Sequence, residues 1–272
     1  MPMSQMDKAR QFQALHAAPG AFVIANAWDA GSARILAGVG FVALATSSGA
    51  AAGVLGRRDG AITRDESLMH AKAVLEATDL PVSADLEKGF GDTPEDVALT
   101  IRMAGDIGLA GGSIEDAMGP GQPLFDPGLA RERIAAAVEA ARRMPFPFTL
   151  TARAENFIRG NPDLDDTIRR LQAFEAAGAD VLMAPGLPDL ATVRTVCSAL
   201  SKPFNFMAGI PGKSFSVAEL AAAGVKRISL ATSLYKAAMT GLLRAAREVK
   251  EQGALGYIDT LVPTPELNGF MR

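Results

Sequence analysis

The stretch AFVIANAWDAGSARILAGVGFVALATS, residues 21–47, indicates the fold class of this chain. Its two apolar ends, 21–26 and 41–47, are each too short for a buried helix and are rich in residues that favour strands. Residues 29–38, between them, have a helical composition. Because strands that are apolar on both faces are typical of parallel sheets covered by helices, the stretch predicts a strand–helix–strand unit.

The same unit recurs along the whole chain. Six further apolar runs predict strands at 81–85, 111–116, 148–153, 179–185, 203–209 and 226–232. Helix-start signals at Thr63, Thr93 and Ser216, and helical composition at 128–143, 165–177, 188–200 and 233–251, fill the spaces between them. Eight units in about 250 residues predict a closed (β/α)8 TIM barrel. The alternative is an open doubly wound sheet, but no glycine-rich phosphate loop follows the first strand.

The predicted domain organisation is a single barrel over residues 1–272. We assign 1–19 to an N-terminal helix and 252–272 to a C-terminal tail. No linker rich in Pro, Gly or Ser interrupts the alternation of strands and helices, so a second domain is not predicted.

Composition narrows the classes of partner. Hydrophobic residues make up 49% of the 272 residues, charged residues 21%, and the net charge is −3, which favours a globular protein with a large core. No basic run suggests a nucleic-acid or membrane-surface partner. The single cysteine, Cys197, excludes an intramolecular disulfide, and no stretch resembles a signal peptide or a membrane span. We therefore expect a cytoplasmic protein with a small-molecule ligand.

Charged and polar side chains follow neighbouring predicted strands, at the barrel face where active sites are built. They are Ser47, Ser48 and, farther along the same loop, Asp59 after the second strand; Asp85 and Glu87 after the third; Glu115 and Asp116 after the fourth; and Arg153 and Glu155 after the fifth. Several carboxylates in one cleft repel one another unless a cation offsets them. Oxygen ligands alone favour Mg²⁺, or Mn²⁺, over zinc, and neither His16 nor His70 lies at a strand end.

Each of these residues can be interpreted as functional or as structural. Asp85 and Glu87 are two residues apart, so in an extended strand both carboxylates would point to one side, where they could face one ligand. Arg153 either neutralises a nearby carboxylate or binds a substrate carboxylate with its planar guanidinium group. Trp28 follows the first strand directly and either lines the pocket or packs in the core. Cys197, in a helical stretch among Val and Leu, is interpreted as core packing rather than a nucleophile.

Five segments resemble the isocitrate lyase/phosphoenolpyruvate mutase superfamily, and they occur in the family's order. These segments are Asn26 to Ala33, SSGAAAGVLGRRDG at 47–60, ADLEKGFG at 84–91, SIED at 113–116 and TARAENF at 151–157. Each motif is weak alone, but together they are specific, and the resemblance extends over about residues 20–260.

The resemblance implies a TIM barrel whose last helix is often exchanged between the subunits of a dimer, with dimers assembled into tetramers. It also implies Mg²⁺ held largely through waters by carboxylates matching Asp59, Asp85, Glu87 and Glu115. The substrate would be a 2-oxo acid contacted by Trp28, Ser47, Ser48, Gly49, Asp85 and Arg153, with Asp59 and Arg153 as the candidate catalytic residues. The shared chemistry of the superfamily is formation of a pyruvate-type enolate.

Departures from the family pattern narrow the expected reaction. Glu87 stands where an Asp is usual, and loop 117–126 lacks the Lys, Cys and His of isocitrate-type lyases. Ala184-Pro185 stands where mutases tend to have His. We therefore expect a Mg²⁺-dependent carbon–carbon lyase or decarboxylase acting on a small 2-oxo or 2-hydroxy dicarboxylic acid. The alternatives are a phosphonomutase or phosphonopyruvate hydrolase, and a non-catalytic 2-oxo acid binding protein.

Overall fold

A computed structural model describes residues 3–271, in which eight parallel strands close into a barrel in chain order. The strands are β1 Phe22–Asn26, β2 Leu44–Ala45, β3 Val82–Asp85, β4 Gly111–Glu115, β5 Thr149–Arg153, β6 Val181–Met183, β7 Phe204–Met207 and β8 Arg227–Ser229. Each lies inside one of the eight apolar runs. The predicted (β/α)8 TIM barrel is confirmed.

Helices surround the barrel and connect its strands. They are α1 Gln5–Ala17, α2 Ala30–Val39, α3 Ser48–Val54, α4 Arg64–Glu76, α5 Pro94–Asp106, α6 Pro127–Arg142, α7 Leu164–Ala176, α8 Leu190–Ser198, α9 Val217–Ala222, α10 Ser233–Arg247 and α11 Thr264–Phe270. The start signals act as predicted: the side chains of Thr63, Thr93 and Ser216 each accept a hydrogen bond from the third residue of their helix. None of these helices is long and apolar enough to cross a membrane in the described part of the chain.

Two short helices lie where the sequence predicted a loop and a tail. Helix α3, Ser48–Val54, lies in the loop after β2, and its sequence SGAAAGV carries too little apolar periodicity to be recognised. Helix α11, Thr264–Phe270, lies within residues 252–272 and contacts α2. The outer ends of the predicted N-terminal helix (1–19) and of this tail lie outside the described residues.

Helix α1 covers the end of the barrel where the strands begin. Phe12 and His16 of α1 pack edge-to-face, with ring centroids 4.8 Å apart, and His16 packs in the same way on Phe22 at the start of β1. Burial, and then the charge of Arg227, lower the pKa of His16 to about 3, so this imidazole is neutral at pH 7. The barrel is thus closed at this end and open at the end where the strands stop.

Candidate active site

A cavity of about 250 Å³ opens at the end of the barrel where the strands stop. Seven of the nine predicted site residues line it: Ser47, Ser48, Asp59, Asp85, Glu87, Glu115 and Arg153. Strand-end residues meet here because the strands are parallel and their carboxyl ends share one face of the barrel. The cavity extends down into the barrel, where polar side chains that the sequence analysis did not select also line it.

Arg153, the last residue of β5, joins the carboxylates at the mouth of the cavity. Its Nη1 donates to Asp85 Oδ1 at 3.0 Å, and its Nε and Nη2 donate to Glu155 Oε1 at 3.1 and 2.8 Å. Nη2 also lies 3.3 Å from Glu115 Oε2. Burial alone would lower the pKa of this guanidinium, but Glu155, Asp85 and Glu115 raise it overall. Of the two roles considered for Arg153, neutralisation of nearby carboxylates is directly visible.

Glu155 and Arg159 belong to the same cluster. The sequence indicated Glu155 as a strand-end carboxylate but not as a site residue, and Arg159 was not predicted. Glu155 is fully buried, and Arg159 Nη2 lies 3.2 Å from both Glu155 Oε2 and Glu115 Oε1. A 3₁₀ turn at Asn156–Ile158 brings Arg159 back over the end of β5. The spacing of four between Glu155 and Arg159 was the available signal, but their contact with Glu115 depends on this turn.

Asp85 ends β3 and is held from two sides. Its backbone N–H donates to Thr46 Oγ1 at 3.1 Å, and its Oδ2 accepts a hydrogen bond from the backbone N–H of Ser48, 3.2 Å away at the start of α3. The strand stops at this residue, so Glu87 does not follow it in an extended strand as the two-residue spacing had suggested. Glu87 instead reaches the cavity through a left-handed backbone conformation, with φ of 50°.

The carboxyl group of Glu87 forms no ion pair with any side chain among residues 3–271. Its Oε1 is buried and has no hydrogen-bond partner. Burial, followed by the charges of Asp85 and Asp59, raises the pKa of Glu87 to about 7, although Arg153 and Lys88 oppose this rise. Burial and the neighbouring Glu155 likewise raise the pKa of Glu115. Carboxyl groups outnumber guanidinium groups around the cavity, so a cation would stabilise this part of the molecule.

These oxygen ligands suit a hard divalent cation, and the unpartnered Glu87 oxygen is available as a ligand. Within residues 3–271, no three Asp, Glu, His or Cys side chains form a ready-made metal centre. The arrangement therefore fits an ion that keeps several of its waters, as Mg²⁺ usually does, better than a fully dehydrated one. The four carboxylates predicted from the sequence, Asp59, Asp85, Glu87 and Glu115, all line the cavity and are the residues that would hold it.

Asp59 is exposed in the loop after α3, and its carboxyl group lies close to Gly49. A Cβ added at Gly49 would lie 3.3 Å from the Asp59 carboxyl group and 3.0 Å from Thr232 Cγ2, so a larger residue at position 49 would displace Asp59. Gly49 itself does not line the cavity. Gly60, with φ of 76°, leaves space for the ring of Pro120 from the loop after β4. The two loops therefore meet over the cavity.

The loop after β4 is anchored at Asp116 rather than used as a source of reactive groups. Asp116 Oδ1 accepts from the backbone N–H of Glu155 at 2.8 Å, and Arg170 Nη1 donates to its Oδ2 at 3.1 Å. A β-bridge between Ala117 and Leu124 folds the loop back on itself. Among residues 117–126, Pro120 is the one that lines the cavity, so this loop contributes no acid or base to it.

Trp28 lies apart from the other predicted site residues. The backbone N–H groups of Trp28 and Asp29 both donate to Ser32 Oγ at 3.0 Å, which fixes the turn into α2. The indole packs edge-on against Tyr235, with ring centroids 5.9 Å apart, and lines a separate depression beside Leu234. Cys197 is half-buried, and burial raises its pKa to about 12, which agrees with a packing role.

Comparisons with known proteins give a consistent result. A family model described as phosphoenolpyruvate phosphomutase matches residues 12–250. A solved structure from Burkholderia cenocepacia J2315, described provisionally as a lyase/mutase, is 50% identical, covers 98% of this chain and 96% of its own, and superposes with a TM-score of 0.95. Another solved structure from the same organism, described provisionally as a phosphonomutase, is 38% identical. The match covers 92% of this chain and 100% of that one, with a TM-score of 0.84. The oxaloacetate decarboxylase of Chromohalobacter salexigens is 31% identical over 92% of this chain and 88% of its own length.

Proposed function

Because the chain belongs to the phosphoenolpyruvate phosphomutase family of the isocitrate lyase/phosphoenolpyruvate mutase superfamily, we propose that it is a Mg²⁺-dependent carbon–carbon lyase or decarboxylase. Its substrate is a small 2-oxo or 2-hydroxy dicarboxylic acid. The superfamily contains decarboxylases and lyases as well as phosphomutases, so membership supports an enzymatic role but does not specify the bond that is broken.

One observation carries the proposal: the cavity combines surplus carboxylates with Arg153 and with the unpartnered oxygen of Glu87. A Mg²⁺ ion bound to these carboxylates would stabilise the negative charge that develops on the 2-oxo oxygen of the substrate as the bond at C3 breaks. Arg153 would orient a substrate carboxylate with the N–H groups that it does not donate to Asp85 and Glu155. The buried ion pairs around it keep these groups in place before the substrate arrives.

The loop after β4 favours a reaction that needs no acid from that side. Residues 117–126 contain no Cys, Lys or His, and Pro120 is their contribution to the cavity. When an oxaloacetate-like acid loses carbon dioxide, the electrons of the broken C3–C4 bond form the enolate, with the negative charge on the 2-oxo oxygen, and a proton from water then adds at C3. Isocitrate-type cleavage is disfavoured, because this loop lacks the Lys, Cys and His of the isocitrate-type lyases that the chain resembles.

Phosphorus–carbon chemistry remains the second candidate, because one relative of 38% identity is described provisionally as a phosphonomutase. Against it, Met183 lines the cavity and Ala184 and Pro185 follow, where mutases tend to carry His. A non-catalytic 2-oxo acid binding protein is the third candidate. Product release from 2-oxo acids, turnover of phosphonopyruvate, and binding without turnover distinguish the three candidates.

We also propose that the chain forms a homo-oligomer, either a dimer or a tetramer. Helix α10 has no buried residue, and the large apolar side chains of Leu242, Leu243, Leu255, Ile258 and Leu261 are exposed on it and on the segment that follows. Burying such side chains against a second copy would stabilise both copies.

The proposed reaction is tested by turnover. Purified protein with Mg²⁺ is expected to release a pyruvate-type 2-oxo acid from at least one member of a panel of C4–C6 2-oxo and 2-hydroxy dicarboxylates, and EDTA is expected to stop the release. In the Asp85→Asn variant, which alters a candidate metal ligand, activity is expected to fall by about 100-fold or more. Absence of product from the whole panel, or turnover of phosphonopyruvate alone as followed by phosphorus NMR, would contradict the proposal.

A further inference from the structure

Arg227 is a buried cation at the bottom of the same cavity. It is the first residue of β8, is 4% exposed, and forms no ion pair with any residue between positions 3 and 271. Its Nε donates to Asn205 Oδ1 at 2.7 Å and its Nη2 to Thr151 Oγ1 at 2.8 Å. Its Nη1 lies 3.3 Å from Nε2 of His16. All three partners are uncharged.

A buried guanidinium group without a carboxylate is unusual, because desolvating a charge is costly unless an opposite charge compensates it. Burial lowers the pKa of Arg227 to about 9, so the side chain is still positive at pH 7. Of its five N–H groups, three are directed to the neutral partners and two remain available. The charge and the two donors together form an incomplete anion site.

The cavity connects this cation with the proposed metal site. Small polar side chains on the inner face of the barrel, Ser83, Ser113 and Ser229, line the cavity between the carboxylates at its mouth and Arg227 at its floor. The carboxylate-rich mouth is negative and the floor is positive. A ligand with two acidic ends would therefore meet a favourable charge at each end once a cation occupies the mouth.

We propose that Arg227 forms a carboxylate subsite at the floor of the cavity, where it receives the far end of an extended 2-oxo dicarboxylate whose 2-oxo acid end lies beside Arg153. This inference rests on the proposed function, since it assigns the second end of the same substrate. It makes Arg227 a specificity-determining residue that selects dicarboxylic over monocarboxylic 2-oxo acids. An inorganic anion bound to Arg227 is the competing explanation, and the test separates the two.

The test compares ligands that differ only at the far end. Affinities are measured by calorimetry, in chloride-free buffer with Mg²⁺, for 2-oxo dicarboxylates of five, six and seven carbons and for the monocarboxylate of each length. At one length or more, wild-type protein is expected to bind the dicarboxylate about tenfold more tightly or better, as expected for one charge-assisted pair. In Arg227→Met this ratio is expected to fall to about one, while the affinity for oxalate, too short to reach both ends, is unchanged.

Two further variants separate charge recognition from support of the fold. Arg227→Lys keeps the charge and is expected to retain part of the preference, and Thr151→Val removes a neutral partner but is expected to keep most of it. If Arg227→Met fails to fold, the proposal is still tested by the affinity ratios of the wild-type protein and of the Arg227→Lys variant. A ratio near one at every length in the wild-type protein, or an equal loss of oxalate and dicarboxylate binding in Arg227→Met, would overturn the proposal.

Two further outcomes distinguish a carboxylate subsite from an inorganic anion site, and failure of the subsite from failure of the proposed function. Thermal stabilisation by chloride that Arg227→Met abolishes, with no preference for dicarboxylates, would identify an inorganic anion site and overturn the subsite. If Mg²⁺ fails to support oxalate binding while the dicarboxylate preference persists, the proposed function fails and the subsite stands.

Discussion

Replacing Arg153 by Met is expected to lower the free energy of unfolding by about 3–5 kcal/mol. The change removes the guanidinium group that lies between Asp85, Glu115 and Glu155, leaving buried carboxylates without their main counter-ion. The loss is expected to be smaller at pH 5 than at pH 8, because protonation removes the repulsion among the unpaired carboxylates. Urea unfolding followed by circular dichroism at the two pH values measures both effects.

A matched change at the surface provides the control for Arg153. Arg143 pairs with Glu139 on the exposed face of α6, and Arg143→Met is expected to cost less than about 0.5 kcal/mol because water screens this pair. If Arg153→Met were no more destabilising than Arg143→Met, Arg153 would not be the main counter-ion of the carboxylates at the mouth of the cavity.

Replacing Glu87 by Gln is expected to have opposite effects on stability and on metal binding. The substitution removes a charge whose Oε1 is buried without a partner, so the metal-free protein should become more stable. The pKa of Glu87 is raised from 4.5 to about 7 by burial and by Asp85 and Asp59, so the native state disfavours the charged form. With allowance for solvent screening, the gain is about 1–2 kcal/mol.

The sign of the pH dependence follows from the raised pKa of Glu87. Below pH 4.5 the side chain is protonated in both the folded and the unfolded state, and the penalty is absent. The penalty grows as the pH rises toward 7, because the unfolded chain releases its proton first. Glu87→Gln should therefore stabilise the metal-free protein at pH 8 but not at pH 4, and should weaken Mg²⁺ binding at pH 8 by about 10–100-fold.

Melting temperatures with EDTA and with Mg²⁺ at both pH values measure these effects of Glu87→Gln. Glu132→Gln, on the exposed surface of α6, is the control and should change neither quantity. A Glu87→Gln protein that is less stable than wild type without metal, or that binds Mg²⁺ equally well, would show that Glu87 supports the fold rather than a cation.

The fold was predictable because local and long-range signals agree. The apolar runs, the capping boxes at Thr63 and Ser216, and the alternation of strands with helices all indicate the same closed barrel. Asp85 and Arg153 were found for the same reason, since strand ends in a parallel barrel share one face. Helix α3 was not predicted, because its seven residues, SGAAAGV, are rich in Ala and Gly and show no apolar periodicity.

The residues whose roles the sequence did not predict depend on three-dimensional neighbours. Glu155 is fully buried, which is rare for a carboxylate, and it is stable there only because Arg153 and Arg159 meet it. Arg227 lies at the start of a strand, whereas the active-site residues of such barrels are expected at strand ends. Trp28 follows β1 as expected, but its side chain does not line the cavity. The turn that its backbone N–H forms with Ser32 directs the indole toward Tyr235.

The central claim is that this cavity binds a 2-oxo acid together with Mg²⁺, and the most direct test is the melting temperature with Mg²⁺, with oxalate, and with both. Oxalate mimics the enolate of pyruvate, and a ligand at about 100 times its Kd stabilises by about 2.7 kcal/mol, which corresponds to about 5–10 °C here. We predict a rise of this size only when both are present, and its loss in Asp85→Asn. Equal effects of oxalate with and without Mg²⁺, or no effect of either, would contradict the claim and leave the barrel fold unaffected.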